Sequence, residues 1–571
     1  MKHYKLWGVL ALLGLASACR PGGTRVPEVD TPQYGLREDS TMVVTAHPEA
    51  SRIGVAVLRA GGNAVDAAIA VQFALAVSFP YAGNIGGGGF MVLRTAEGEV
   101  ITLDFREKAP LAADRDMYLD EQGEVIPKLS ARGHLSSGVP GVVDGMVRAH
   151  KRYGTLPWKN LVQPAIDLAQ NGYRVSDNQA DWLNRQREEF IEYNPDSSYY
   201  LVKAEGAWQA GDTIRMADFA ATLRRIRDRK RAGFYAGETA EMLLAEQAAH
   251  GGIITQADLD AYAAQWRPPI TGNYRGYTIH SMPPPSSGGI VLLQILGMLE
   301  GQDLAKYSPT DAAYVHRLVE AERRAYADRA EYLADPDFVK IPVTHLLSDG
   351  YLAARMMSFS PERATPSDSI GPGAAPAESE ETTHFSILDQ PGNAVAVTTT
   401  INSPYGSKVW VKGAGFLLNN EMDDFSAKPG VPNIYGLVGA EANSIRPGKR
   451  MLSSMTPTII EKEGQVWMVL GTPGGSTIIT SVLQCFLDVA EHGMTMQEAV
   501  GQLRFHHQWR PDKVFIEEGA LAPETIAELE AMGHTVEVRS PIGRVDAILV
   551  HPDGLLEGAA DPRRDDEAEG Y

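Results

Sequence analysis

The stretch Glu381-Thr382-Thr383-His384-Phe385-Ser386-Ile387-Leu388-Asp389 marks a border between two kinds of sequence. Before the border, residues 361–381 (PERATPSDSIGPGAAPAESEE) are rich in Pro, Gly, Ser and acid, a composition that predicts a flexible linker. After it, the apolar Phe385 and Ile387 stand among polar neighbours and predict a core β-strand. The sequence therefore predicts that a linker ends, and a strand of the core begins, at Thr382.

Thr382 gains a chemical role at this border only if the chain is cut before it. A threonine hydroxyl is a weak nucleophile, and a free α-amine on the same residue can serve as its general base. An internal threonine has no such amine, so this chemistry requires cleavage between Glu381 and Thr382. The border is therefore a candidate cleavage site, and Thr382 is a candidate nucleophile.

The composition limits the classes of protein to which the chain can belong. Its 571 residues are enough for a large core or for several domains. Hydrophobic residues make up 44% and charged residues 22%, which is typical of a globular protein. The net charge of −20 argues against a nucleic-acid partner, because neutralising phosphates requires clustered Lys and Arg. The acidic balance favours a soluble protein that acts on small molecules.

The N-terminus has the pattern of an export signal. A positively charged start and a short apolar run, residues 6–15, precede the small residues Ala16-Ser17-Ala18. Cys19 follows at the position of a bacterial lipobox cysteine, although Ala16 stands where a larger aliphatic residue is usual. We expect a signal peptide over residues 1–18 and a periplasmic location, either free or anchored to the membrane through a lipid on Cys19.

Helical and strand patterns alternate after a flexible lead predicted for residues 19–40. Helices are expected over 47–62 and 64–79, followed by four glycines at 86–89 and a strand. These glycines lack the Lys-Ser/Thr pair of a phosphate loop, so they predict close backbone packing instead. The middle of the chain is mainly helical, and a predicted β-hairpin at 382–402 opens an α+β pattern.

Two segments offer hydrogen-bond donors that would suit a threonine nucleophile. Gly474 and Gly475 join a predicted strand to a predicted helix, where two backbone N–H groups can point at one spot, as an oxyanion hole requires. A plain turn with Ser476 as the helix N-cap explains the same residues. Ser453 and Ser454 precede another predicted strand, and, taken alone, structural hydrogen bonding explains them better than a role in the site.

Two further segments carry charge. Arg106 ends a predicted strand, where a guanidinium can bind a carboxylate through two hydrogen bonds or can pair with Asp104 or Glu107. Residues 419–425 (NNEMDDF) place three carboxylates beside two amides, which suits an ammonium ligand better than calcium, although a solvated acidic turn is the alternative.

The adjacent histidines His506 and His507 do not predict a metal site. Neighbouring residues on one element point in different directions, and the chain has no HExxH motif or cysteine set to complete a zinc site. No metal and no cofactor are therefore expected.

Taken together, these segments closely resemble the γ-glutamyltranspeptidase family of N-terminal nucleophile hydrolases. The resemblance extends over essentially the whole chain after the export signal. It rests on motifs that occur in the family's order: GGNAVDAAIA, NIGGGGF, LDFREKAP, SMPPPSSGG, YADRAEYLADPDFVKIP, TTHFS, NNEMDDFSAKPGVPN, LSSMTPTI, GTPGGSTIITSV and RFHHQW. It implies an α+β fold, a four-layer αββα sandwich, built by a large subunit (41–381) and a small catalytic subunit (382–571) that one precursor supplies as a heterodimer.

The resemblance also implies a role for each candidate residue. These roles are self-cleavage after Glu381 and nucleophilic attack by Thr382, orientation of the nucleophile by Thr400, an oxyanion hole from Gly474 and Gly475, binding of the glutamyl α-carboxylate by Arg106, Ser453 and Ser454, binding of its α-ammonium by Asn402, Glu421 and Asp424, and a lid over 429–449 that contains Tyr435. One cationic side chain would thus meet the substrate carboxylate, and two carboxylates would meet the ammonium.

The reaction implied by the resemblance is attack of Thr382 on a γ-glutamyl amide such as glutathione. The resulting γ-glutamyl ester would pass to water or to the amine of an amino acid or peptide. One alternative is a cephalosporin acylase with a glutaryl donor, but glutaryl lacks the α-ammonium that Glu421 and Asp424 suit. Another is an exported amino-acid-binding protein that never cleaves itself and would remain a single chain.

Overall fold

The computed structural model describes residues 32–194, 201–371, 382–428 and 440–571. Residues 33–571 belong to one unit, and the account below concerns that unit. Its strands are β1 Leu36–Glu38, β2 Met42–Thr45, β3 Gly88–Arg94, β4 Val100–Asp104, β5 Tyr173–Arg174, β6 Thr213–Ile214, β7 Gln265–Arg267, β8 Ile270–Tyr274, β9 Tyr277–Ser281, β10 Thr383–Leu388, β11 Ala394–Thr400, β12 Thr458–Lys462, β13 Gln465–Gly471, β14 Phe505–His506, β15 Val514–Glu517, β16 Val536–Arg539, β17 Asp546–Val550, β18 Leu556–Ala559 and β19 Glu567–Gly570.

The helices of the same residues fall on both sides of the sheets. They are α1 Pro48–Arg59, α2 Ala64–Ser78, α3 Val142–Tyr153, α4 Trp158–Asn171, α5 Asp177–Arg185, α6 Arg187–Tyr193, α7 Ala217–Arg229, α8 Ala232–Tyr235, α9 Glu238–Ala249, α10 Gln256–Ala261, α11 Gly288–Leu299, α12 Ala312–Tyr332, α13 Val343–Leu346, α14 Asp349–Met356, α15 Thr477–Ala490, α16 Met496–Gly501 and α17 Pro523–Ala531. Among the described residues, none of these helices has both the length and the apolar character needed to cross a bilayer.

Two seven-stranded sheets form the centre of the fold. The first sheet has the order β19-β2-β10-β11-β3-β4-β7, and the second has the order β1-β18-β17-β13-β12-β9-β8. Neighbouring strands are antiparallel throughout both sheets. A smaller sheet, β14-β15-β16, and the pair β5-β6 complete the strand structure of the described residues.

The two sheets and the helices on their outer faces are stacked in four layers. Between the two sheets lies an apolar layer that includes Val44, Ala396 and Val469. The other face of the first sheet packs against α1–α4 and α7, and the other face of the second sheet packs against α11, α12, α15 and α16. The predicted αββα sandwich is therefore confirmed.

The hairpin after Thr382 shows how the sequence selects its place in these layers. On β10, Phe385 and Ile387 belong to the cluster on the helix side of the first sheet. On β11, Val395 and Val397 face the same helices, whereas Ala394 and Ala396 face the second sheet. Successive side chains of a strand point to opposite faces, so a central strand contacts the helices on one face and the second sheet on the other, and both faces are buried. The small side chains of Ala394 and Ala396 let the two sheets approach each other closely.

Helix α2 confirms a second local prediction. The Asn63 side chain accepts a hydrogen bond from the backbone N–H of Asp66, and the Asp66 side chain caps the N–H of Asn63 in return. All of its 15 residues are buried, as an apolar surface on every side requires. This reciprocal cap is why the helix begins at Ala64, with only the capping Asn63 between it and Gly61-Gly62.

Two segments predicted to be flexible are ordered where the structure describes them. Within the predicted lead, Leu36–Glu38 forms β1 and pairs with β18. Within the predicted linker, Ser367 is buried, and its backbone oxygen accepts a hydrogen bond of 3.0 Å from Trp509 Nε1. The prediction is wrong for residues 33–40 and 361–371, because distant elements satisfy their backbone groups and local composition does not reveal those elements. The signal peptide, Cys19 and residues 372–381 lie outside the described residues.

Candidate active site

Thr382 lies at the entrance to the central hairpin. Thr383 pairs with Thr399 across β10 and β11, so the same register brings Thr382 opposite Thr400. Thr382 is buried, and its Oγ1 accepts a hydrogen bond of 3.2 Å from the backbone N–H of Gly474. The neighbouring Thr383 points to the opposite face of the sheet, since successive strand residues alternate. The candidate nucleophile thus sits at a strand end, beside the turn that was predicted to hold an oxyanion.

Nearly all the candidate residues that the structure describes line one cavity of about 300 Å³. They reach it from chain segments far apart in sequence. The lining residues are Arg106, Thr382, Thr400, Asn402, Glu421, Asp424, Ser453, Ser454, Met455, Gly475 and Ile478. Of the predicted site residues that are described, only Gly474 is missing from the lining, and it contacts Thr382 directly. Glu381 and Tyr435 lie outside the described residues, so their predicted roles stay predictions.

Arg106 enters the cavity from the end of β4. Its backbone N–H donates to Asp104 Oδ1 at 3.0 Å, which turns the chain and sends the side chain inward. The guanidinium is buried, with Nη1 in contact with the Glu421 carboxylate and Nη2 in contact with the Asp424 carboxylate. The Asp104 side chain pairs with Arg267 and Arg450 rather than with the Arg106 guanidinium. Arg106 therefore belongs to the cavity and not to a local pair with Asp104.

Three carboxyl groups surround this single guanidinium. Besides Glu421 and Asp424, Glu107 approaches Arg106 with its Oε2 3.5 Å from Nη1. Within the described part of the chain, Glu421 Oε2 and both carboxyl oxygens of Glu107 have no hydrogen-bond partner. The site therefore holds buried acceptors that suit a further positively charged group.

The three buried carboxyl groups and the single guanidinium shift one another's pKa values. Burial raises the pKa of Glu421, the Glu107 carboxylate raises it further, and Arg106 opposes both. Burial also raises the pKa of Asp424 and of Glu107, and Arg106 again works in the opposite direction. Burial alone would lower the pKa of Arg106, but the surrounding carboxylates raise it, so the guanidinium stays charged.

The turn between β13 and α15 requires its glycines. Gly474 has φ +135° and Gly475 has φ +55°, and a Cβ on Gly474 would stand 2.5 Å from Thr477 Oγ1. The capping explanation does not hold, because the Ser476 side chain makes no cap hydrogen bond and its Oγ donates to Gln508 Oε1 at 2.7 Å. The turn instead directs the Gly474 amide at Thr382.

Asn402 and Thr400 are fixed by backbone contacts at the end of β11. Asn402 has φ +69°, its N–H donates to Thr400 Oγ1 at 2.7 Å, and its Nδ2 donates to Asn420 O at 3.0 Å. The four-glycine segment lies against the same loop, because a Cβ on Gly86 would stand only 2.0 Å from Leu417 O. These contacts show the close backbone packing that the glycines predicted.

Arg329 on α12 is a residue that sequence reasoning missed. Its Nη2 donates to Ser454 Oγ at 2.9 Å, and its Nε donates to Ser287 Oγ at the same distance. Ser287 Oγ in turn donates to Ser453 O at 2.7 Å. Arg329 thus holds the two candidate serines in place. The only signal in the sequence is that charged residues of α12 occur where its buried face must lie.

The paired histidines do not share a site. His506 Nδ1 lies 2.8 Å from Thr480 Oγ1, whereas His507 Nε2 lies 3.3 Å from Asp512 Oδ1. Burial lowers the pKa of His506 to about 3 and that of His507 to about 4. Both rings are therefore neutral parts of the core.

Comparison with known proteins assigns a family to this arrangement. The sequence profile described as Gamma-glutamyltranspeptidase matches residues 50–571. The chain is 46% identical over 572 residues to the glutathione hydrolase proenzyme of Escherichia coli K12, covering 98% of each chain. It is 48% identical to the glutathione hydrolase proenzyme of Pseudomonas sp. A14, covering 93% of this chain and 94% of the relative.

A solved structure shows the same architecture. The cephalosporin acylase from Bacillus halodurans superposes with a TM-score of 0.83 at 27% identity, over 97% of this chain and all of the acylase. Both the hydrolase relatives and this acylase are thus similar to the chain over nearly its whole length.

Proposed function

The chain belongs to the γ-glutamyltranspeptidase family of N-terminal nucleophile enzymes, and from this premise we propose that it cleaves glutathione and related γ-glutamyl amides through Thr382. The substrate follows from the relatives' name, glutathione hydrolase proenzyme, and from the chemistry of the cavity. The same name supports a precursor that processes itself, here between Glu381 and Thr382.

The charge distribution beside Thr382 carries this proposal. An α-amino acid head group has one carboxylate and one ammonium, and the cavity offers a guanidinium next to buried carboxylates. In the proposed complex Arg106 binds the glutamyl α-carboxylate, helped by the Ser453 and Ser454 hydroxyls. The α-ammonium binds Glu421, Asp424 and the Asn402 side chain. Glu421 Oε2, which has no hydrogen-bond partner among the described residues, then acquires one.

The exchange of partners leaves each charged group of the site with a partner. Without substrate, the single Arg106 guanidinium pairs with both Glu421 and Asp424. When the zwitterionic donor binds, its α-carboxylate forms hydrogen bonds with the Arg106 guanidinium. Its α-ammonium then pairs with the carboxylates of Glu421 and Asp424. No buried charge is left alone, which would otherwise cost several kcal/mol, on the order of 3–5. The cavity is therefore selective for a donor that carries both charges.

The reaction then proceeds by acyl transfer through Thr382. Its Oγ1 attacks the γ-carbonyl carbon of the donor, and the α-amine of the same residue takes the hydroxyl proton. The Gly474 and Gly475 amides stabilise the oxyanion, and the leaving amine takes a proton as the C–N bond breaks. Water or another amine then attacks the γ-glutamyl ester, and Thr382 recovers its hydroxyl.

The proposed base is the α-amine, because the described lining of the cavity contains no histidine and its carboxylates, Glu421 and Asp424, are paired with Arg106. His384 is nearest in sequence, but burial lowers its pKa to about 3. Its two ring nitrogens lie 2.9 Å from Thr398 Oγ1 and 3.0 Å from Ser386 Oγ. Such a ring is held in the sheet and does not titrate near neutral pH. The α-amine exists only after the bond before Thr382 has been cut.

We further propose the location and assembly that the sequence suggests. The N-terminal pattern supports export to the periplasm, either as a free protein or as one anchored to the membrane through a lipid on Cys19. The segment 429–449 with Tyr435 is proposed as a lid that excludes water from the site. The two chains formed by cleavage remain together as a heterodimer.

A cephalosporin acylase activity is the second candidate, since the Bacillus halodurans enzyme has the same fold. A glutaryl group has no α-ammonium, so it would leave Glu421 and Asp424 in excess over Arg106. Relative rates on a γ-glutamyl amide and on the matching glutaryl amide separate the two functions. We expect the γ-glutamyl amide to be used faster by at least about 100-fold, the cost of an unpaired buried charge.

The experiment that tests the proposal compares two neighbouring threonines. Wild type should give two bands on a denaturing gel, one of them the 190 residues from Thr382 to Tyr571, and should hydrolyse glutathione. Thr382→Ala should remain one chain and be inactive. Thr383→Val is the matched control, because the buried Thr383 hydroxyl has no hydrogen-bond partner among the described residues. A wild-type protein that stays uncut and inactive contradicts the proposal.

A further inference from the structure

A second cavity adjoins Thr382 on another side from the first. Its volume, part of which is open to solvent, is about 850 Å³, and its lining includes Thr382, Pro473 and Gly543 together with four arginines. The arginines are Arg185, Arg544, Arg563 and Arg564. No carboxylate occurs among the described residues that line it. The nucleophile thus stands between a small cavity that suits a zwitterion and a larger one that suits an anion.

Arg544 has an unused donor within this lining. It is 4% exposed, with its Nε 2.9 Å from Asp566 Oδ1 and its Cζ 4.8 Å from the centre of the Phe79 ring. Its Nη2 has no hydrogen-bond partner in the described part of the protein. A buried guanidinium nitrogen without an acceptor is uncommon, because desolvating it is costly. Arg544 therefore brings a positive charge and an unsatisfied donor to the wall of the cavity.

Arg564 also lines this cavity, and its guanidinium stacks on two aromatic rings. Its Cζ lies 4.8 Å from the centre of the Tyr81 ring and 5.2 Å from the centre of the Trp182 ring. Stacking uses the face of a guanidinium, whereas its N–H groups lie in the plane and bind carboxylates edge-on. Arg563 is engaged by Glu517 and Asp561, so it contributes mainly its charge.

We propose that this arginine cavity binds the carboxylate-bearing amine half of the reaction. It would hold the dipeptide that leaves the donor and, afterwards, the amino acid or peptide acceptor, with Arg544 and Arg564 on the α-carboxylate. The inference rests on the proposed function and names the acceptor class for the same nucleophile. The γ-glutamyl half occupies the small cavity, so the bond that is made or broken lies at Thr382, where the two cavities meet.

The transfer step balances in atoms and protons. The acceptor nitrogen attacks the carbonyl carbon of the γ-glutamyl ester, a C–N bond forms, and the bond from that carbon to Thr382 Oγ1 breaks. The acceptor amine loses one proton, and Oγ1 gains one through the Thr382 α-amine. No oxidant, metal or further reactant takes part. A carboxylate anchored by the arginines would hold the acceptor amine near the ester and raise its effective concentration.

The test uses two acceptors that differ only in charge, glycylglycine and glycylglycinamide, with γ-glutamyl-p-nitroanilide as the donor. Its leaving group has no carboxylate, so the acceptor alone reports on the arginine cavity. Wild type should use glycylglycine with a kcat/KM about tenfold or more higher than glycylglycinamide, as a charge-assisted hydrogen bond implies. Equal use of both acceptors by the wild-type enzyme overturns the proposal without any variant.

Two variants and one control then locate the effect. Arg564→Ala and Arg544→Lys should each reduce the preference for glycylglycine over glycylglycinamide by several-fold, about fivefold or more. Arg152→Ala is the matched control, because the Arg152 guanidinium also stacks on two rings, those of Tyr153 and Trp266. It should keep the wild-type preference. Because the preference is a ratio, a smaller active fraction does not change it.

The outcomes separate this inference from the proposed function. If the variants keep the wild-type preference but slow the cleavage before Thr382, the cavity serves the acidic segment that precedes Thr382 in the precursor, and the proposal is wrong. If wild type releases no p-nitroaniline at all, the proposed function itself fails.

Discussion

At the scale of single residues, the active site is defined by an excess of buried negative charge. Glu107, Glu421 and Asp424 converge on one guanidinium, and burial raises the pKa of each carboxyl group. Such a cluster is unfavourable without a further cation, so the empty cavity favours protonated carboxyl groups. A bound α-ammonium reverses this preference. Substrate binding and proton release at Glu421 are therefore linked.

This linkage predicts how KM depends on pH. In the proposed complex the ionised form of Glu421 binds the ammonium, so KM for a γ-glutamyl donor should fall as pH rises through the raised pKa of that residue. Glu421→Gln removes the titrating group, and its KM should vary less between about pH 5 and about pH 8. Initial rates over this range measure both profiles. Superimposable profiles for wild type and variant would show that Glu421 does not bind the ammonium.

The glycine that faces Thr382 gives a second prediction at this scale. In Gly474→Ala the new Cβ would meet Thr477 Oγ1 at 2.5 Å, so the amide must turn away from Thr382. We expect kcat to fall by about 100-fold or more with little change in KM, as for the loss of an oxyanion donor. Gly493→Ala is the control, since Gly493 also has positive φ (+67°) but its Cβ would meet nothing within 4 Å. An equal loss in both variants would indicate general strain.

Motifs placed in family order predicted almost every described residue that lines the cavity, but not what holds those residues. Arg329 stayed hidden because α12 is 21 residues long and buries charged residues along with apolar ones. Its role depends on the meeting of α12 with the Ser453–Ser454 segment, which lies more than a hundred residues further along the chain. Local sequence carries the chemistry of a side chain, whereas its contacts depend on tertiary packing.

At the scale of elements, helix α15 joins the oxyanion turn to the core. It begins at Thr477, directly after the Gly474–Ser476 turn, and its buried positions extend from Thr477 to Asp488. Cys485 is buried there as a free thiol. Asp488 is also fully buried, and burial raises its pKa to about 7 while Arg504 opposes the shift. The core around α15 therefore disfavours the ionised form of Asp488.

Asp488→Asn should change how stability depends on pH. The folded pKa of about 7 lies above the unfolded value of about 3.9, so the native state binds more protons than the unfolded state between these values. The stability due to the protonated group is present below about pH 4 and is lost as pH rises through about 7. The Asn variant, which cannot ionise, should have a higher Tm than wild type above about pH 7 and a smaller difference near pH 5. A variant less stable than wild type at every pH would contradict this assignment.

The elements predicted best are those with a strong local pattern. The β10–β11 hairpin and α2 agree with the sequence, because alternation, caps and helical periodicity are local signals. Strand β1 was missed because its stability comes from pairing with β18, at the other end of the chain. The four-layer arrangement itself followed from the family resemblance and not from any single element.

At the scale of the whole molecule, both sheets alternate between the two sides of the proposed cut. In the first sheet, β10 and β11 lie between β2 and β3, while β19 covers β2 from the other side. In the second sheet, β12, β13, β17 and β18 lie between β1 and β9. Strands from before and after Thr382 therefore share backbone hydrogen bonds within each sheet. Cutting one peptide bond at the edge of β10 breaks none of these ladders.

This arrangement predicts that the two chains stay together after cleavage. Mature protein should elute from a sizing column in native buffer at the same volume as the uncut Thr382→Ala variant. The chains should separate only in denaturant, because separation requires breaking both sheets. A peak of the free small chain, 190 residues from Thr382 to Tyr571, in native buffer would contradict the prediction.

Because strands from both sides of the proposed cut alternate in the two sheets, we expect the cut enzyme to unfold irreversibly. The strands take their places while the chain is continuous, when every pairing is intramolecular and its closure entropy is modest. Once the chain is cut, a denatured molecule would have to bring two separate chains together and thread their strands between each other, with exposed edges open to aggregation. The working lifetime of each molecule is then set by its rate of unfolding rather than by an equilibrium, so that a cell replaces such an enzyme instead of refolding it.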